Sequence, residues 1–231
     1  GPAELVFVAP ERPSLLIHPE FEQMSHGAKS VESMLRVVST TEEALADCTD
    51  SVGFTARVRG GRQREDWREV TPEFAALGDL PDRRLALVFG NEMTGMTAEE
   101  SMLCQRLVHI PTSQEHTSLN LSVAVAVVLS SLFVAPRTHE LEPGGFPVTG
   151  AEREFLKANL KWAMTEKVAR SDQAKLDIAA SIERVFSKSE LETRDARAWH
   201  MMARALGSQK TPMDFGLDPN PKVQGERGSV P

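Results

Sequence analysis

Short apolar runs alternate with helical patterns along the first 134 residues. Four runs are typical of buried parallel strands, namely Leu5–Ala9, Ser51–Thr55, Leu85–Phe89 and the shorter Leu107–Pro111. Helical spacing of apolar residues separates them, at His26–Val38, at Glu42–Cys48 after the capping box Thr40–Glu43, and after a second capping box at Thr97–Glu100. Strands that alternate with helices predict an α/β domain with a mostly parallel sheet over residues 1–134.

The remainder of the chain has helical periodicity and no strand pattern. A Pro/Gly-rich linker at residues 135–148 precedes three predicted helices, each with a polar residue at its start. The expected helix caps are Thr149, Ser171 and Ser187. These patterns predict a small all-helical module over residues 149–207. The polar, Pro/Gly-rich residues 208–231 are expected to be disordered.

Composition narrows the class of protein. The chain has 231 residues, 41% of them apolar, and no apolar run approaches the roughly 18 residues of a membrane span. Two cysteines without a CxxC pair, Cys48 and Cys104, favour a reducing, cytoplasmic setting. No signal-peptide pattern opens the chain. The missing initiator methionine fits either a tag remnant or the cut edge of a larger protein.

The net charge of −7 is unevenly distributed. Residues 1–150 hold 12 Lys and Arg against 21 Asp and Glu (net −9), whereas residues 151–231 hold 14 against 12 (net +2). An acidic total does not exclude RNA binding, because local clusters of basic side chains decide it. If the helical module grips RNA, the lysines expected to do so are Lys157, Lys161 and Lys167.

One predicted strand, Leu85–Phe89, runs directly into a turn with two glycines, Gly90 and Gly95, and a carboxylate, Glu92. The carboxyl ends of parallel strands are where α/β domains bind ligands, and glycine lets the backbone approach a ligand closely. The turn matches neither the dinucleotide fingerprint nor the P-loop. On its residues alone, it is either a ligand-binding loop or a simple corner.

A second polar segment follows His109-Ile110-Pro111 and leads into a long apolar helix, Val123–Phe133. Thr117 or Ser118 can act as an ordinary N-cap of that helix. Asn120 stands between two leucines, so we expect its amide to hydrogen-bond a specific partner. The helix itself fits core burial and a dimer interface equally well.

Five arginines lie within twelve positions directly after the strand Ser51–Thr55: Arg57, Arg59, Arg62, Arg64 and Arg68. They form either a solvated basic loop or a phosphate clamp. Their position at the carboxyl edge of a strand, in an otherwise acidic domain, favours the clamp.

Other enzyme classes lack their signatures. The six histidines are scattered without HExxH spacing, and no GxSxG elbow is present, so neither a metal site nor a hydrolase site is expected. The first strand leads into Ala9-Pro10-Glu11-Arg12, where a dinucleotide-dependent oxidoreductase carries its glycines.

The order of these segments resembles the SPOUT methyltransferases of the TrmH branch, most of all the TrmJ-type tRNA ribose methyltransferases. The likeness covers roughly residues 4–134 and rests on TARVR after a strand, then LALVFGNEMTGM, then VHIPTSQEHTSLNLSVAVAVVL. It implies S-adenosyl-L-methionine as cofactor, an RNA substrate and a homodimer. It also implies a trefoil knot formed by the glycine turn, the IP loop and the SLNL loop, an exception to the usual rule against threading.

The same resemblance implies roles for individual residues. The implied cofactor contacts are Thr55, Ala56, Gly90, Glu92, Gly95, Ile110, Ser118, Leu119 and Asn120. The implied catalytic residues are Arg57, Arg59, Ser118 and Asn120. The implied RNA-binding residues are Arg57, Arg59, Arg62, Arg64 and His116, the last standing where the family commonly has an aromatic residue.

One element of the family has no counterpart in this chain. The family begins with a strand and helix that carry an NxGxxxR-like motif, whose arginine is central to catalysis, and Leu5–Ala9 matches the strand after it. Either the chain given lacks that element or the protein has lost it. Three functions stay open: a tRNA ribose methyltransferase, with an anticodon-loop pyrimidine as first guess, an rRNA ribose methyltransferase, or a non-catalytic cofactor- or RNA-binding relative.

Overall fold

The structure is a computed structural model that describes residues 4–12, 34–58, 62–113, 115, 118–136 and 145–218. These residues divide into two compact units, one as far as Ala44 and one from Leu45 onward. Every strand pairing in the described residues is parallel, which confirms the predicted α/β class. None of the helices described is long and apolar enough to cross a membrane.

The first unit contains two paired strands, β1 (Leu5–Val8) and β2 (Leu35–Val38), and most of helix α1 (Thr41–Leu45). The predicted helix His26–Val38 is therefore wrong over β2, and residues 26–33 lie outside the described part. Adjacent valines favour the pleated strand, and the pairing with β1 fixes it. The Thr40 hydroxyl caps α1 by accepting from the Glu43 N–H at 3.2 Å, but α1 ends three residues earlier than expected.

The sheet of the second unit has four strands in the spatial order β4, β6, β3, β5. They are β3 (Asp50–Phe54), β4 (Glu65–Asp66), β5 (Leu85–Phe89) and β6 (Arg106–His109). The three longer strands were predicted within one or two residues, because each belongs to an apolar run of strand length. β4 has only two residues, both charged, so no apolar pattern predicts it.

Three helices accompany this sheet: α2 (Trp67–Leu77), α3 (Ala98–Leu103) and α4 (Leu121–Val134). α2 was not predicted, although the Asp66 carboxylate caps it and its apolar stripe fills the core against the sheet. α3 begins at the predicted capping box of Thr97 and Glu100. α4 begins after Asn120, whose carboxamide oxygen accepts from the Ser122 N–H at 2.9 Å, so neither Thr117 nor Ser118 is the N-cap.

The helical module consists of α5 (Gly150–Lys167), α6 (Asp172–Phe186) and α7 (Thr193–Ala205). Thr149 and Ser171 cap the first two as predicted. The expected cap Ser187 is wrong, because its N–H donates to Glu183 and continues the last turn of α6. A reciprocal pair, Glu192 and Asp195, opens α7 instead.

Residues 208–218 are ordered, so the expectation of disorder is wrong for this stretch. The buried Ser208 hydroxyl donates to the Asn159 carboxamide oxygen at 2.5 Å, and a short 3₁₀ helix, Pro212–Phe215, follows. The Phe215 ring lies 6.3 Å from that of Phe155 on α5. These contacts fold the segment back onto α5, and residues 219–231 lie outside the described part.

Candidate cofactor and RNA site

One cavity lies where the ends of three strands meet the start of α4. Its walls are residues 54–57 at the end of β3, residues 89–96 at the end of β5, Ile110 and Thr112 after β6, and Ser118, Leu119, Leu121 and Ala124 around the start of α4. The carboxyl edge of a parallel sheet is the usual ligand-binding position in α/β domains. Eight of the nine expected cofactor residues line this cavity, and Asn120 is the ninth.

The glycine turn after β5 is a rigid, internally bonded loop. A Cβ at Gly90 would lie 2.1 Å from the Met96 nitrogen, so only glycine allows the two ends of the turn to pass so closely. Gly95 has a φ of +69° and its N–H donates to the Asn91 carbonyl at 2.7 Å. The Asn91 side chain also accepts from the Met93 N–H at 2.8 Å. Backbone groups of residues 90–95 are therefore presented to the cavity in a fixed arrangement.

A side-chain hydrogen bond joins the glycine turn to the start of α4. The Asn120 amide nitrogen donates to the Glu92 carboxylate at 2.7 Å, across 28 residues of sequence. The other side of the same carboxamide caps α4. Asn120 does not line the cavity, so its observed contacts are those of a clasp that holds the two loops together.

The end of β3 forms the third wall and carries the first arginine of the segment. The Thr55 N–H donates to Val108 on β6 at 3.0 Å, and the Thr55 hydroxyl oxygen accepts from the Arg57 N–H at 3.2 Å. The exposed Arg57 guanidinium reaches the Thr94 carbonyl of the glycine turn at 3.5 Å. Arg57 is thus a cation at the rim of the cavity, in contact with the turn.

The other arginines of the segment do not form the expected clamp. The prediction that Arg62 binds RNA is wrong. Its side chain is buried and donates to the carbonyls of Ser101, Cys104 and Gln105 at the end of α3, so it cannot contact a phosphate. Its burial lowers the pKa of its guanidinium. Arg64 is half-buried and donates to the carbonyls of two cavity residues.

Two further arginines complete the segment. Arg68 is exposed and pairs with Asp66, at 2.7 Å. Arg59 lies outside the described residues.

The segment after β6 brings Ile110 to the cavity, as expected. The His109 ring Nδ1 lies 3.0 Å from the Glu65 carbonyl, an ordinary partner for a half-buried histidine. Ser118 is exposed and lines the cavity, whereas Thr117 and His116 lie outside the described residues. No cluster of metal-ligating side chains occurs in the part of the chain that the structure describes.

Several residues that line the cavity were not predicted from the sequence. They are Phe54, Phe89, Asn91, Met93, Thr94, Met96, Thr112, Leu121 and Ala124. Asn91 had a signal, because an Asn directly after a strand and a glycine commonly bonds the backbone two residues on. The apolar members had none, because nothing local separates a wall of a cavity from the core beneath it.

Fold and site together define an α/β protein with a cavity lined by loops at the carboxyl edge of a parallel sheet. Its family follows from comparison with known proteins. The model of the SpoU rRNA Methylase family matches residues 1–130, more than half of the chain. The chain therefore belongs to the SpoU methylase family.

Curated relatives support the same family. The chain is 30% identical over 208 residues to the tRNA (cytidine/uridine/adenosine-2'-O-)-methyltransferase TrmJ of Pseudomonas aeruginosa, covering 88% of this chain and 74% of that protein. It is 27% identical over 217 residues to the tRNA (cytidine/uridine-2'-O-)-methyltransferase TrmJ of Yersinia enterocolitica, covering 88% and 82%. The resemblance to TrmJ-type enzymes is confirmed.

Solved structures agree on the fold. TrmJ from Z. mobilis ZM4 superposes with a TM-score of 0.69 at 23% identity, covering 90% of this chain and 88% of that one. A probable methyltransferase from Bordetella pertussis superposes with a TM-score of 0.52 at 35% identity, covering 57% and 79%.

Proposed function

We propose that this protein transfers a methyl group from S-adenosyl-L-methionine to a ribose 2'-hydroxyl of tRNA. The observation that carries the proposal is the Glu92–Asn120 hydrogen bond, which closes the glycine turn and the SLNL segment around one cavity. Membership of the SpoU family and the tRNA ribose methylation named for the relatives supply the reaction class. The trefoil knot implied by the resemblance is part of the same proposal.

The cavity suits a bent, amphipathic cofactor. Ile110, Leu119 and Met96 supply apolar wall for an adenine ring, and residues 90–95 supply backbone donors and acceptors for the polar groups. When bound there, S-adenosyl-L-methionine supplies an activated methyl group on a sulfonium. Thr55 and Ala56 would form the floor beneath it.

The protein's task in this reaction is to orient the nucleophile and help remove its proton. The 2'-oxygen forms a bond to the methyl carbon while the carbon–sulfur bond breaks and its electron pair returns to sulfur, and the hydroxyl proton passes to a base or solvent. We assign Arg57 to the RNA phosphate beside the target ribose, because it is the exposed cation at the rim. Ser118 is the residue assigned to orient the hydroxyl or the methionine end of the cofactor.

Calorimetry with S-adenosyl-L-methionine, followed by incubation with unmodified tRNA transcript, tests the proposal. The expected result is cofactor binding together with 2'-O-methyl nucleosides in the digested tRNA. Methylation of ribosomal RNA in place of tRNA would favour the rRNA alternative. Cofactor binding without methylation of either RNA would favour the non-catalytic alternative, and a folded chain that binds no cofactor would contradict the proposal.

We also propose that the protein is a homodimer and acts in the cytoplasm, where tRNA is modified. α4 contains no charged residue, and Val128 is its one fully buried member. The exposed fractions of Val123 and Phe133 are 48% and 83%. An apolar helix face of this kind is typical of a subunit interface.

For the helical module, the structure corrects two of the three expected RNA contacts, whereas Lys167 is exposed as the prediction requires. Lys157 is buried and bonded to Glu154 and Glu183, each at 2.6 Å, and Lys161 is also bonded to Glu183. Burial alone would raise the pKa of Glu183, but these lysines outweigh it and lower that pKa to about 2. The two lysines therefore hold α5 to α6 and are not available to RNA.

We propose instead that tRNA contacts the outer face of α7. Arg194, Arg197, Met201 and Arg204 follow one another at helical spacing of three or four residues, so they share one exposed face. Among the described residues, no carboxylate pairs with Arg197 or Arg204. Replacing the three arginines by glutamine is expected to reduce the slope of log affinity against log salt by about 2, at roughly 0.7 to 0.9 per lost phosphate contact. An unchanged slope would contradict this assignment.

A control with two basic residues exists at the turn between α5 and α6 and in the first turn of α6. Arg170 is exposed, and Lys175 pairs with the fully exposed Asp172 at 3.8 Å, its one ion pair in the part of the chain that the structure describes. The double variant Arg170→Gln, Lys175→Gln is expected to leave the slope nearly unchanged, so a drop equal to that of the α7 variant would indicate a general charge effect.

A further inference from the structure

Arg64 makes contacts that its expected role in RNA binding does not require. Its guanidinium Nη1 donates to two successive carbonyls, that of Ala56 and, at 3.4 Å, that of Thr55. The side chain is half-buried, and both acceptors belong to residues that line the cavity. Arg64 is therefore turned toward the floor of the site.

The backbone on either side of Arg64 is fixed by independent contacts. Two residues earlier, the buried Arg62 is bonded to carbonyls at the end of α3, including Cys104 and Gln105 at 2.8 Å. The next residue, Glu65, receives two hydrogen bonds from Arg106 on the neighbouring strand, at 2.8 and 2.6 Å. These contacts restrain the residues beside Arg64, so forming its bonds costs mainly the rotamer entropy of its own side chain.

The two residues whose carbonyls accept from Arg64, Thr55 and Ala56, are followed directly by Arg57 at the rim of the cavity. The Thr55 hydroxyl oxygen accepts from the Arg57 N–H at 3.2 Å, and the Arg57 guanidinium extends to the Thr94 carbonyl of the glycine turn. A shift of the Thr55–Ala56 backbone would therefore move both the floor of the cavity and the cation at its rim.

We propose that Arg64 is a positioning residue of the cofactor site. Its guanidinium holds the Thr55 and Ala56 carbonyls in place, and through them it sets the floor of the cavity and the direction of Arg57. The proposal rests on the proposed function for the identity of the cofactor. It replaces the expectation that Arg64 binds an RNA phosphate.

The test compares Arg64→Gln with Arg68→Gln in the full chain. Arg68 is a matched control because it belongs to the same arginine segment and its side chain is 74% exposed and bonded only to Asp66 among the described residues. Loss of the two charge-assisted bonds is expected to weaken S-adenosyl-L-methionine binding about 10-fold by calorimetry. The control is expected to change it less than about 2-fold, and the salt slope of tRNA affinity is expected to stay the same in both.

The opposite pattern would overturn the proposal. If Arg64 contacts RNA, Arg64→Gln will leave cofactor affinity unchanged and reduce the salt slope by about 0.7 to 0.9. Should Arg64→Gln fail to fold, Arg64→Lys carries the test, because one ammonium can reach one of the two carbonyls. Cofactor affinity between those of the wild type and a 10-fold loss supports the proposal, and affinity equal to that of the Arg68 control overturns it.

A second readout does not depend on the cofactor. Amide hydrogen exchange at residues 55–58 of the unliganded chain is expected to be faster in Arg64→Gln, or in Arg64→Lys if that variant carries the test, than in Arg68→Gln. Equal rates would overturn the positioning role. If the wild-type chain binds no S-adenosyl-L-methionine while these rates differ, the proposed function fails and the positioning role stands.

Discussion

The clasp between the glycine turn and α4 can be broken without losing the helix cap. Asn120 donates to the Glu92 carboxylate through its nitrogen and accepts from the Ser122 N–H through its oxygen. The substitution Asn120→Asp keeps the acceptor for Ser122, since aspartate is as good an N-cap as asparagine. It also places two carboxylates opposite each other, where a hydrogen bond had joined the loops.

The expected loss follows from two terms. Both side chains are exposed, so solvent screening lowers the worth of the lost charge-assisted bond to about 1 kcal/mol, below the roughly 1.5 to 3 kcal/mol of less exposed bonds to charged groups. Two like charges about 4 Å apart repel by about 1 kcal/mol in water, and by more near a protein surface. If the closed loops are what binds the cofactor, a sum of about 2 kcal/mol corresponds to roughly 30-fold weaker binding.

A calorimetric series of the wild type and three variants with S-adenosyl-L-methionine measures this effect. Glu92→Gln keeps an acceptor for Asn120 and should weaken binding only about 3-fold, because just the charge is lost. The double variant Glu92→Gln, Asn120→Asp reverses donor and acceptor, so it should return to within about 3-fold of the wild type. Asn120→Asp at wild-type affinity, or a double variant as weak as Asn120→Asp, would refute the reasoning.

Three further predictions concern the interface, the buried arginine and acid stability. Val127→Arg on α4 should convert a dimer to a monomer in light scattering, because it buries an unpaired charge in the interface. The control Leu176→Arg, at an exposed apolar position on α6, should remain a dimer. Dimers in both variants would contradict the proposed interface. Arg62→Met leaves three carbonyls without a donor, so it should lower the free energy of unfolding by about 3 kcal/mol, or the melting temperature by roughly 6 to 10 °C. An unchanged melting temperature would show that water replaces the guanidinium. The pKa of Glu183 is lowered in the fold to about 2 from 4.5, so its stabilisation is complete above about pH 4.5 and disappears as the pH falls toward 2; denaturant titrations of Glu183→Gln should lack that part of the pH dependence.

The parallel strands and the loops of the site could be predicted because their signals are local or belong to the family. β3 and β5 are apolar runs of strand length, and the glycine turn and SLNL segment are recognisable wherever they fold. α2 was missed although its apolar residues have helical spacing, because Pro72 within it is typical of a helix end. The cap of α7 was misplaced because a serine three residues before a glutamate fits a capping box even where, as at Ser187, the preceding helix has not ended.

The arginine segment shows what a local pattern cannot decide. Arg57, Arg62, Arg64 and Arg68 have the same chemistry and lie in one run, yet one reaches across the rim of the cavity, one is buried against α3, one holds the floor of the cavity and one pairs with a neighbour. A guanidinium donates to whatever acceptors lie within its reach, and for Arg57, Arg62 and Arg64 these are carbonyls brought close by tertiary structure. Since Arg62 and Arg64 each donate to two or more backbone carbonyls, a count of basic residues overstates the charge available to RNA. The RNA contact of this segment should therefore depend on Arg57 far more than on Arg62 or Arg64, and the difference in salt slope between Arg57→Gln and Arg64→Gln measures it directly.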